Sequence, residues 1–209
     1  ERLQLLAVFP IGKSKGLATT SGPVRIPDEL LERSIRVSKS PAEFSLLHAW
    51  GATAVPVDWP RVSAGFKHET AEGLYVSAST LLAVDLNPRI THFTKTGGIW
   101  DCGVLVMDPS RYDRLPSWAK QAADEAGSSL QTEIFASELT RSADEQEALE
   151  SKDVEVYEPT EKETSLWRQA TTKAWRQLAG TFDPGDAERT LADQDLQDMI
   201  ALLKKVGAL

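Results

Sequence analysis

Trp50-Gly51-Ala52-Thr53-Ala54-Val55-Pro56-Val57-Asp58-Trp59-Pro60 compresses a helix stop, a short apolar strand and a helix start into one stretch. Gly51 is placed to end a helix that Ser40-Pro41-Ala42-Glu43 opens as a capping box. Pro60 stands at the start of a further helix running to about Thr70. Upstream, Pro27-Asp28-Glu29-Leu30-Leu31-Glu32 has Pro and acids where a helix N-terminus wants them, and Ser34 to Val37 follows as a short strand ending in Arg36-Val37. Short helices alternating with short strands predict α/β layers around a largely parallel sheet.

The pattern extends in both directions. Leu3 to Phe9 reads as an opening strand, and Pro10 to Pro23, rich in Gly, Ser, Thr and Lys, as a loop. Ile90 to Thr94 and Ile99 to Met107 complete the strand candidates, with Gly97-Gly98 between them. Beyond Ser117 the chain is helical. Trp118, Ala122, Ala126, Leu130 and Ile134 mark one stripe of a helix predicted to end near Ser151, before an extended piece, Val154 to Tyr157. Trp167, Thr171, Ala174, Trp175 and Leu178 form a second stripe, and Leu196, Met199, Ile200 and Leu203 a third.

Composition excludes several classes. With 209 residues the chain is long enough for a substantial core, and its strongest apolar run, Val104 to Met107, is strand-sized and no membrane span. The net charge of −8 argues against a broad nucleic-acid surface. Residues 1–110 are neutral, so the last 99 carry the whole excess and an anion site sits more comfortably in the first half. A lone cysteine, Cys102, excludes an internal disulfide framework and reads as a small buried residue. The chain begins at Glu1 and enters a strand almost at once, which reads as a processed or truncated start.

Ala7-Val8-Phe9-Pro10-Ile11-Gly12-Lys13-Ser14 satisfies a relaxed phosphate-loop pattern, and Asp108 ends an apolar strand as a metal-binding acid would. Such a loop must run straight into a helix whose amides hold the phosphates, and Lys15 to Pro23 is no helix sequence. His48, His68 and His92 lack metal-ligand spacing, so no metal or cofactor is expected. Asp183, Asp186, Asp193, Asp195 and Asp198 read as a wet helix face rather than a calcium loop.

The order of elements from Pro27 to Gly73 resembles the solute-receptor subunits of TRAP transporters, the DctP-type family of periplasmic binding proteins. Their "P-x-D-L-x-G-x-x-x-R-V" element is similar to Pro27 to Val37. Their "G-A-x-P-x-P" with its following aromatic is similar to Gly51 to Trp59, and their "V-D-G" to Ala71-Glu72-Gly73. Tyr112 to Trp118 resembles the "W-x-x-L-P" element before a long helix, and the similarity covers roughly Leu3 to Trp175. The resemblance implies a type II-like periplasmic-binding-protein fold of class α/β, with two lobes, a hinge and C-terminal packing helices. Residues 1–12 would enter from the other lobe, 13–100 form the ligand-binding lobe, 101–150 return to the other lobe, and 151–209 pack across both. Family members carry a further section ahead of the strand that opens this chain, and it supplies one wall of the cleft.

The resemblance places the ligand-pairing arginine on Arg36 and the aromatic wall on Trp59. Lys39, Tyr75, Val76 and Ser77 complete the candidate ligand-binding set. The chemistry agrees, because a guanidinium forks bidentately onto a carboxylate and stays charged at any accessible pH. A second arginine expected near Gly16 is absent, although Lys13 and Lys15 lie close. The implied function is capture of a small organic acid anion in the periplasm, without a chemical step, for delivery to the membrane subunits of the transporter. Two other readings stay open: a relative that kept the fold as an interaction domain, and a nucleotide-dependent enzyme built on Lys13, Ser14 and Asp108.

Overall fold

A computed structural model describes residues 3–62, 71–83, 89–140 and 142–209. In chain order the elements are β1 (Gln4–Pro10), β2 (Gly16–Thr19), β3 (Ser34–Val37), α1 (Pro41–Ala49), β4 (Thr53–Pro56), β5 (Gly73–Val76) and α2 (Ala78–Ala83). Then follow β6 (His92–Thr94), β7 (Cys102–Met107), α3 (Pro109–Asp113), α4 (Ser117–Thr140) and α5 (Ser142–Glu150). β8 (Glu155–Tyr157), α6 (Glu161–Leu178), α7 (Pro184–Asp193) and α8 (Gln197–Lys205) close the order.

Two sheets result. β1 and β7 pair antiparallel, and six strands run in the order β4-β3-β5-β2-β6-β8. In the larger sheet β3 is parallel to both β4 and β5, and β6 to β8, while β2 runs antiparallel to β5 and β6. The sheet is therefore mixed, not largely parallel. The error lies in β2, hidden in the stretch read as a loop. Gly16-Leu17-Ala18-Thr19 is wholly buried, and four residues covered on both faces carry no alternation to read.

Alternating side chains divide the core by sheet face. Leu17, Ile35, Val37 and Tyr75 pack under α1 and α6 with Leu46, Leu47, Trp50, Trp167 and Ala174. Ala18, Leu74, Val76 and Phe93 pack on the other face with Leu81, Leu149 and Val154. Gly51 ends α1 at φ +91°, a backbone that a side chain would strain, as the sequence predicts. Leu191, Ile200, Leu203 and Ala208 make a separate small core between α7 and α8. Asp183, read as part of a wet face, caps α7 by accepting from the Asp186 amide at 2.9 Å.

Other local readings need correction. The helix predicted from Pro27 is one 3-10 turn, Pro27–Leu30, and Glu32 at φ +65° stops it. The helix predicted from Pro60 to Thr70 shows a 3-10 turn at Trp59–Arg61, and 63–70 lie outside the described residues. Cys102 is exposed because it opens an edge strand. Lys13-Ser14 leads into β2 instead of a helix, and Asp108 caps α3, so the phosphate-loop context is missing.

The stripe on α4 also shifts. A strict four-residue spacing drifts around a helix of 3.6 residues per turn, so Trp118 ends 74% exposed. Gly127 instead meets β1, where a Cβ would lie 2.3 Å from the Leu6 carbonyl oxygen. Gly127→Ala gains about 1 kcal/mol of helix propensity, yet the rigid backbone cannot yield, and overpacking costs about 1–3 kcal/mol. We expect a net loss of stability, read as a lower urea midpoint; an unchanged or higher midpoint would show that β1 and α4 separate freely.

Candidate functional site

The topology collects several ends at one edge of the larger sheet. The C-terminal ends of β3, β4 and β5 lie beside the start of antiparallel β2 and the C-terminal ends of β6 and β8. Open α/β sheets bind ligands at this edge.

Arg36 lies on β3 between Ile35 and Val37, so its side chain leaves the opposite face from Tyr75. It is 6% exposed, and its Nε and Nη2 donate to the Val57 carbonyl at 3.0 and 2.7 Å. That carbonyl occupies the side edge of the guanidinium and leaves the Nη1/Nη2 end for a second bidentate partner. Trp59 lies over the group, with Cζ 4.8 Å from the ring centroid. Burial lowers the Arg36 pKa, and the nearby Glu43 and Asp58 charges act in the opposite direction. Among the described residues no carboxylate forms a salt bridge with it.

Lys39 is exposed at the rim and pairs with Asp58, Nζ to Oδ1 at 3.0 Å. The remaining candidates are turned into the protein. Tyr75 is buried against Trp50, with ring centroids 5.6 Å apart, and its hydroxyl accepts from the Ile99 amide at 2.9 Å. Burial drives the Tyr75 pKa upward, so this phenol stays neutral. Val76 packs in the core, and Ser77 donates to Thr80 Oγ1 at 2.8 Å. The structure thus joins a buried Arg36 with half-exposed Trp59 and with Lys39 and Asp58 at the rim, whereas Tyr75, Val76 and Ser77 lie buried away from that group.

A second charged group lies beside them. Lys15, just before β2, is buried and pairs with Glu43 on α1 and with Asp101 at 2.8 Å. Glu43 also accepts from the Ser38 amide at 2.6 Å, two residues beyond Arg36. The expected capping box does not form: Ser40 makes no cap bond, and the Glu43 carboxylate that would reach back to its amide is held by Lys15 and Ser38. The position of Lys15 next to the buried run Gly16-Leu17-Ala18 is a weak sequence signal for it. Asp101 has none, since its partner lies 86 residues away.

Segments 11–15 and 96–101 both run between the two sheets, and they run together. Ile11 donates to the Asp101 carbonyl at 2.8 Å and Lys15 to the Ile99 carbonyl at 2.7 Å. Two sheets joined by paired crossing segments, with a buried arginine at the strand ends, define a periplasmic-binding-protein-like class.

Comparison with known proteins gives the family. The profile of bacterial extracellular solute-binding protein, family 7 (DctP), matches residues 3–181, and the chain belongs to that family. A solute-binding protein of Verminephrobacter eiseniae is 20% identical over 106 residues, 51% of this chain and 32% of that protein. A TRAP periplasmic solute-binding protein of Desulfovibrio desulfuricans with bound sn-glycerol-3-phosphate shares the fold with a TM-score of 0.83 at 16% identity, over 92% of this chain and 61% of that one. The ectoine-binding protein of the TeaABC TRAP transporter of Halomonas elongata gives 0.81 at 18% identity, over 95% and 64%. The chain therefore spans about a third of that curated relative and about three-fifths of these solved structures. No described helix is long and apolar enough to cross a membrane.

Proposed function

We propose that this chain is the ligand-gripping part of a TRAP-type solute receptor that captures a small organic acid anion in the periplasm and performs no chemical step. The observation that carries the reading is Arg36. It is a buried guanidinium, half satisfied by the Val57 carbonyl, with an open end and no carboxylate bridge among the described residues. An interaction domain that had lost its ligand would be expected to neutralise such a charge internally. A ligand carboxylate fits the open end bidentately, Trp59 covers it, and Lys39 lies at the rim. Residues 13–100 would form most of the gripping lobe, with Leu149 of α5 joining its core and strand β8 its sheet, residues 1–12 and 101–140 would form the other, and the helices of 161–209 would pack across both. The paired crossing segments 11–15 and 96–101 then serve as the hinge of closure. The membrane subunits of the transporter would receive the solute.

Thermal unfolding against small carboxylates tests the reading. A ligand that binds only the native state stabilises it by about 2.7 kcal/mol at a hundred times its dissociation constant. A saturable rise in Tm with at least one acid class is expected. No rise with any acid sinks the proposal.

A further inference from the structure

Two acids of the chain itself lie close enough to Arg36 to compete for it. Asp58 stands between the two residues that touch the guanidinium: the Val57 carbonyl accepts from Nε and Nη2, and the Trp59 ring covers Cζ at 4.8 Å. Glu43 accepts from the Ser38 amide at 2.6 Å, two residues beyond Arg36. The charge of each acid acts on Arg36. A carboxylate tethered this near competes with a free solute at an effective concentration of about a millimolar. Neither acid bridges Arg36; each is held by a lysine instead. Asp58 spends both oxygens on Lys39, at 3.0 and 3.1 Å. Glu43 is buried and engaged by Lys15 and the Ser38 amide.

Removing either lysine frees an acid beside an arginine that has no carboxylate of its own among the described residues. Resting on the receptor reading of Arg36, we infer that Lys15 and Lys39 are positioning residues for capture. Each holds an acid of the chain away from Arg36, so the open end of the guanidinium stays free for the solute carboxylate. The sequence reading puts Lys39 in contact with the ligand; here it acts through Asp58. The two pairs differ in strength. The Lys39 and Asp58 side chains are 70% and 52% exposed, so solvent screens them. Lys15 and Glu43 are buried, and a Glu43 without its lysine seeks the nearest cation far more strongly.

Calorimetric titration of the whole chain at low ionic strength tests this. The probes are straight-chain mono- and dicarboxylates of three to six carbons and their hydroxylated analogues, and the tightest binder is carried through all variants. Lys39→Met is expected to bind it about fivefold more weakly, the upper range for an exposed pair, at an unchanged Tm. Adding Asp58→Asn to that variant is expected to return affinity to within about twofold of the unaltered chain. A lysine that touched the solute would not be rescued by removing an acid. A Lys39→Met loss that persists in the double variant therefore overturns the role of Lys39, and so does full affinity in Lys39→Met. Lys15→Met is expected to weaken binding about tenfold or more, and Glu43→Gln in the same chain to recover most of it. No loss, or a loss that Glu43→Gln leaves in place, overturns the role of Lys15. If Lys15→Met folds poorly, the exposed pair decides, because its removal disturbs no core. These failures leave the receptor reading standing. If no acid of the set binds the unaltered chain, the receptor reading falls and this inference with it.

Discussion

Trp167→Ala is expected to lower the stability of the chain by about 3–5 kcal/mol, the range for truncating a large buried aromatic. Trp167 is 2% exposed and stands where α6 crosses α1 over the larger sheet. Its ring meets Trp50 edge-on at a centroid separation of 4.7 Å, and its indole donates to the Arg25 carbonyl at 2.9 Å. The alanine variant loses the packing, leaves a cavity and strips a carbonyl of its donor. Trp50 loses its neighbour too, although its own indole keeps Thr171 Oγ1 at 3.0 Å. Trp167→Phe refills most of the volume without the donor, so it should recover more than half of the loss. Urea unfolding followed by circular dichroism measures both. A loss under 1 kcal/mol for the alanine variant would mean that α6 is not docked on the sheet as described.

Arg36→Ala is expected to weaken capture of any carboxylate ligand by about thirtyfold or more. Truncating one partner of a buried charge pair costs about 2–5 kcal/mol, because the other charge stays desolvated and unpaired. Arg36→Lys separates charge from shape. An ammonium has no planar fork, so it cannot hold the Val57 carbonyl and a carboxylate in one plane as the guanidinium does. We expect about tenfold weaker binding with Tm near that of the unaltered chain. Both variants also release Trp59 from its seat over the guanidinium, which intrinsic fluorescence should register. Full affinity in Arg36→Lys would show that charge alone matters and that the end-on fork is not used.

The sequence was most legible where one residue type has one structural use. Gly51 as helix terminator, the short strand Ser34–Val37, and the stripes of α6 and α8 follow from local stereochemistry and a 3.6-residue period. The motifs around Arg36 and Trp59 carried the family, which the profile match over residues 3–181 shows. Where a residue had two plausible uses, the local reading failed. Ser40 and Glu43 have the spacing of a capping box, but a buried lysine competes for that carboxylate and a backbone amide completes its shell. Pro27-Asp28-Glu29 starts a helix that a left-handed Glu32 stops after one turn.

By itself the sequence determined the α/β class, most of the helices and strands, the family, and the arginine on which the site reading rests. Only the tertiary structure decided the mixed direction of the sheet, the burial of Tyr75 and Ser77, and the meeting of Lys15, Glu43 and Asp101. The physical reason is range. Helix periods and caps are written within a few residues, whereas a buried strand between two others, or an ion pair spanning 86 residues, exists only once the sheet brings its ends to a common edge.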